Sequence, residues 1–174
     1  MKTSLITTSC AAAFTWMLLG TGATAATTTL DHSDKSFLSD AYQDGMAEVK
    51  MGEMGASKSA NADIKAFGQH MTTDHSKANS ELKALAVSKG LDLPSDVTMV
   101  AKGKAKLLEA KSGADFDKAY AEAMVSDHKK AVSAFEKAAN EAKDAEVKAF
   151  ATKTLPTLQM HLSMAEDLNK KVSK

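Results

Sequence analysis

Two stretches of the chain repeat one arrangement of soft, acidic and imidazole side chains, Met71-x-x-Asp74-His75 and Met124-x-x-Asp127-His128. On an α-helix, residues three or four apart lie one turn above another, so each stretch aims a thioether, a carboxylate and an imidazole at one region of space. His161 and Glu48 stand where the apolar stripes of two further helical segments would otherwise continue. Imidazole nitrogen with carboxylate oxygen is a donor set for iron, copper, zinc or manganese. Added thioethers from Met71, Met124, Met160 or Met164 would turn the choice toward copper. The candidate metal ligands are therefore Glu48, Asp74, His75, Asp127, His128 and His161. His32, in a polar lead-in, and His70, on a side face, fall outside that set.

A second explanation uses the same residues without an ion. Asp-His pairs inside a bundle can bond across helices and fix their register, and methionines at helical spacing commonly fill core gaps. What favours the metal is that charged or imidazole groups inside a bundle are costly unless paired or ligating, and each long helix offers one. No nucleophile elbow, glycine-rich phosphate loop or His-Glu-x-x-His occurs, so the expectation is binding without catalysis. A di-metal oxidoreductase would need two ions per chain and turnover of oxygen or peroxide.

Positioning these residues falls to helices. Ala, Lys, Glu, Met and Leu dominate, only two prolines occur, and no β-type alternation is present. A first helix is expected from Lys35 to around Gly55–Ser59, with Ala41, Gly45 and Gly52 letting a neighbour come close. A second opens at the N-cap Asn61 and stops at Gly90; a shorter amphipathic piece spans Val97–Lys111. A third long helix carries Phe116, Tyr120, Asp127 and Phe135. Asp144 caps the fourth, which Pro156 is expected to kink. Echoes between 61–67 and 144–150, and between 41–46 and 119–124, suggest a duplicated hairpin, although the Met-x-x-Asp-His repeat pairs different helices. The expected fold is all-α: a four-helix bundle with an additional short helix in the central crossover.

With 174 residues the chain has room for one core. Its N-terminal residues belong to a different pattern. Lys2, an apolar run from Cys10 to Gly20 and the small-x-small triplet Ala23-Thr24-Ala25 predict a cleavable signal peptide over 1–25 and export to the periplasm. A disordered lead-in is expected over 26–34 and the bundle over 35–174. The only Cys lies in this expected leader, so the mature chain is expected to have no thiol chemistry and no disulfide, and the apolar run is too short to serve as a stable transmembrane anchor. Lys+Arg and Asp+Glu both number 22, so no net field attracts nucleic acid. An envelope protein partner or a second copy of the chain is the remaining class of partner.

Phe37-Leu38 with Gly45-Met46-Ala47-Glu48, Lys65-Ala66-Phe67 leading to Asp74-His75, Tyr120 with Met124-x-x-Asp127-His128, and Thr154-Leu155-Pro156-x-Leu158-x-x-His161-Leu162 together resemble the bacterial domain-of-unknown-function 4142 proteins. The resemblance implies a ferritin-like bundle in the cell envelope with no established activity. A carboxylate-bridged di-iron centre of the ferritin type would require Glu-x-x-His, which this chain lacks. Met-x-x-Asp-His is also loosely similar to the Met-x-x-His-His pattern of another envelope family linked to copper handling.

Overall fold

The computed structural model describes residues 29–174. The leader and its cleavage point, expected within 1–25, lie outside the described residues. Five helices follow one another: α1 (His32–Lys58), α2 (Ala62–Ser88), α3 (Met99–Glu109), α4 (Gly113–Glu141) and α5 (Ala145–Val172). The described residues contain no strand. The architecture is the expected four-helix bundle with a short helix in the crossover.

Local chemistry sets the boundaries. Asn61 accepts from the Asp63 N–H at 2.9 Å, and Asp144 accepts from Glu146 and Val147 at 2.9 and 3.2 Å, each satisfying donors a helix start leaves bare. After α2, Gly90 takes φ +65° and Leu91 N–H reaches back to Ala86 O at 2.9 Å, the paired turn that closes a helix on glycine. α5 continues through Pro156.

The first helix starts earlier than Lys35. Asp31 caps it through the Ser33 N–H, Leu30 is buried, and Asp34 is buried as well. The Asp34 carboxylate accepts from the backbone N–H groups of Lys143 and Asp144 at 3.1 and 2.7 Å. Residues 29–34, expected to belong to a disordered lead-in, are thus tied to the α4–α5 turn. The sequence alone hides this, because the acceptor's partners lie more than a hundred residues away.

α1 pairs with α2 and α4 with α5 as hairpins; α2 packs against α5 and α1 against α4. Around the bundle the order is α1, α2, α5, α4, which sets α2 and α4 across a diagonal. α1 and α2 approach closely where Gly52 and Gly68 face one another, since a Cβ on Gly68 would come within 2.5 Å of Gly52 O. The core is divided. One apolar cluster gathers Ile64, Phe67, Met71, Phe116, Tyr120, Met124, Ala165 and Leu168. The other gathers Leu38, Leu82, Phe135, Val147, Phe150 and Leu158. On each long helix the residue at the junction of the two is polar: Glu48, His75, His128 and His161.

Candidate metal centre

Three helices bring imidazoles to that junction: His75 from α2, His128 from α4 and His161 from α5. All three are buried, and one nitrogen from each lies within 4.8 Å of the others. Ring centroids are 5.3 to 5.7 Å apart. Phe67 closes the layer on one side, edge-on to His128 and His161 at 6.4 and 6.3 Å.

The outward nitrogens determine what the inward ones are. His128 Nδ1 lies 2.9 Å from the Met124 carbonyl oxygen, which can only accept, so Nδ1 carries the proton and Nε2 the lone pair. His161 Nε2 lies 2.9 Å from Asp74 Oδ2; donation to this carboxylate leaves Nδ1 bearing the lone pair. Those two inward nitrogens, with His75 Nε2, are buried and have no hydrogen-bond partner. Two lone pairs cannot bond each other, and His75 can donate to one of them at most, so the trio cannot satisfy itself. Burial pushes His75 down to about 3, helped by its two imidazole neighbours. Burial likewise pushes His128 down to about 4, against the opposing pull of the Met124 carbonyl. His161 is lowered by burial and partly restored by Asp74. All three are neutral near pH 7, the state a metal ligand requires.

The other expected ligands sit elsewhere. Asp74 is half-buried and stands behind His161, holding its ring as a carboxylate does behind a metal-bound imidazole. Asp127 is ion-paired with Lys104 of α3. Glu48 is level with the imidazoles but outside the set that converges, and its buried Oε2 has no partner. Burial, with Asp127 and Asp44 adding to it, raises Glu48 to about 8, so at neutral pH it is mostly the uncharged acid. His32 and His70 are exposed.

One orphan was not foreseen: the buried Tyr120 hydroxyl, which has no partner and whose ring fills the space a side chain on Gly55 would take, 2.6 Å from its Cβ. The pairing of a tyrosine with a small residue on another helix is the signal that sequence reasoning passed over. Methionines form a tier beside the imidazoles. Met51, Met71, Met124 and Met164, three or four residues from Glu48, His75, His128 and His161, all belong to or pack on the Phe67 cluster. Met160, also considered as a thioether donor, is exposed.

A family model described as a domain of unknown function, DUF4142, matches residues 19–168. The chain belongs to the DUF4142 family. No curated protein matches it in sequence. Among solved structures, a DUF305 fragment from Deinococcus radiodurans superposes on this DUF4142 bundle with a TM-score of 0.73 at 11% identity, over 82% of this chain and 98% of that one. CopM in its Cu(II)-bound form gives a TM-score of 0.68 at 14% identity, over 79% of this chain and 96% of that one. At such identities the likeness of the DUF4142 chain to both is one of fold. Among the described residues no helix is long and apolar enough to cross a membrane.

Proposed function

We propose that the chain holds one transition metal ion, copper before zinc or iron, on His75, His128 and His161, and acts in metal storage, buffering or envelope stress in the periplasm. The compartment is assigned from the N-terminal sequence pattern alone. The reading is carried by three buried imidazole nitrogens, each without a partner and none able to satisfy the other two. Leaving a buried acceptor unpaired costs roughly 1–3 kcal/mol; an ion within reach of all three would remove that cost. Binding a first-row ion at roughly 2.0–2.1 Å would draw the three nitrogens closer together than the 4.8 Å within which they now lie. The neighbouring methionine tier favours copper, whose reduced form accepts thioethers. CopM, of the same fold, has been solved with Cu(II), which makes copper the first ion to try.

The test is elemental analysis of untagged protein purified from the periplasm, followed by calorimetric titration with Cu2+ and Zn2+. About one ion per chain is expected, lost in His75→Ala, His128→Ala and His161→Ala. Less than about a tenth of an equivalent together with no heat of binding would end the proposal. One observation favours a purely structural or partner-binding module: Asp74 and His161 do join α2 to α5. Under that reading, melting of the protein and of its histidine variants is indifferent to a chelator.

A further inference from the structure

A groove of about 1770 Å³ runs between α1 and α4 under α3, and it reaches His75 and His128 from outside. Along α1 it is lined by Asp40, Asp44 and Glu48, four residues apart and so on one stripe of the helix. Asp40 and Asp44 are exposed and Glu48 is buried, so the stripe descends from solvent to the level of the imidazoles. Asp127 faces it from α4. Lys130 acts on Asp44 from outside, while at the inner end Lys104 is the cation acting on both Asp44 and Glu48.

Lys104 belongs to the element least committed to the core. α3 buries only Leu108. It is moored near its two ends, by Gln43 Nε2 donating to Asp96 O and by Lys58 Nζ donating to Glu109 O, both at 2.8 Å. Between those moorings Lys104 reaches into the groove and pairs with Asp127, which would otherwise face the unpartnered Glu48 oxygen uncompensated. The inner end already holds a positive charge, supplied by the chain itself.

Building on the metal-binding reading above, we propose that Asp44, Glu48 and Asp127 form an entry site for a divalent cation bound for the imidazoles, and that the Lys104 ammonium occupies it until the ion displaces it. Glu48 is then a residue of the route and not of the final ligand set. Its free oxygen sits between the outer carboxylates and the histidines, and an arriving ion is the partner it lacks. Lysines line the groove as well as carboxylates, so it exerts no net pull on cations. The entry site acts locally, by offering oxygens to an ion that takes the place of Lys104, and thus on the rate of arrival more than on final affinity.

Stopped-flow absorbance with Cu2+ as the sole probe tests this on the full mature chain, with circular dichroism confirming the helical fold of each variant. Glu48→Gln keeps the shape of the acid but cannot give up a proton and become the anion that an incoming Cu2+ draws out, so it should slow association about tenfold and leave the equilibrium affinity within about threefold of wild type. Lys104→Met, which keeps the stem and removes the charge, should speed association about tenfold. Should Lys104→Met fail to fold, Glu48→Gln still decides. Identical rates in all three proteins would overturn the route while leaving the metal centre standing. A Glu48→Gln affinity reduced as far as in His75→Ala would make Glu48 a ligand and overturn it too. No copper signal even in the wild type would remove the metal-binding reading itself, and the route with it.

Discussion

At the scale of single residues, the inward layer is defined by what its members cannot do for each other. Asp74 touches no position an ion would occupy, yet it sets the His161 tautomer, so Asp74→Asn should weaken Cu2+ binding by about 10–100-fold in a titration while the helical signal is retained. The same burial makes stability depend on pH in two opposite ways. His75 and His128 sit at about 3 and 4 when folded, whereas an unfolded chain takes up protons near 6.5. Between those values the unfolded state binds more protons, so the stability is whole above pH 6.5 and drains away as pH falls toward 4. Glu48 works the other way: raised to about 8 from 4.5, it favours the folded state at low pH, and that contribution shrinks as pH rises through 8. Thermal melts of the metal-free protein should therefore lose stability on both sides of neutrality. His75→Leu should flatten the acid limb, and Glu48→Gln the alkaline one. An acid limb unchanged in His75→Leu would show that this imidazole is not held neutral by the fold.

At the scale of the helix, close approach of α1 and α2 depends on two glycines facing each other. A methyl group on Gly68 would meet the Gly52 carbonyl oxygen at 2.5 Å and the Ala56 nitrogen at 2.7 Å, backbone atoms that cannot turn aside. Gly68→Ala should therefore cost about 1–3 kcal/mol in denaturant unfolding. Gly103, within α3 and with open space around it, should instead gain about 1 kcal/mol of local helix stability as alanine, read by hydrogen exchange in α3. Helices of this kind were legible from periodicity and caps: Asn61, Gly90 and Asp144 carry their roles in their own chemistry. The level of the polar layer was legible too, because Glu48, His75, His128 and His161 interrupt apolar stripes. Stripe position could not tell which of six candidates converge. Asp74 and Asp127 each precede a buried histidine by one residue, about 100° around the helix, and that rotation sends one behind His161 and the other to Lys104. Asp34 and Tyr120 were missed for a related reason, since their surroundings are made by residues distant in the chain.

At the scale of the whole molecule, the bundle is two apolar cores joined through a layer of groups that find little satisfaction in protein alone. An ion there would bind the folded chain and not the unfolded one, adding about 2.7 kcal/mol when its free concentration is a hundred times the dissociation constant. Where that energy appears follows from the topology. The three imidazoles come from α2, α4 and α5, and the first two lie across the bundle's diagonal, so the ion would tie together helices that otherwise meet through core side chains such as Phe67 against Tyr120 and His128. α1 supplies Glu48 alone and α3 no imidazole. Hydrogen exchange with and without Cu2+ should show amides around 75, 128 and 161 slowing together by about a hundredfold at that concentration, with the middle of α1 changing less and α3 least. Slowing confined to one helix would mean the copper sits on a surface group such as the exposed His70. Uniform slowing over all five helices would mean that these amides exchange only through global unfolding, and that the imidazole layer is no local hinge between the two cores.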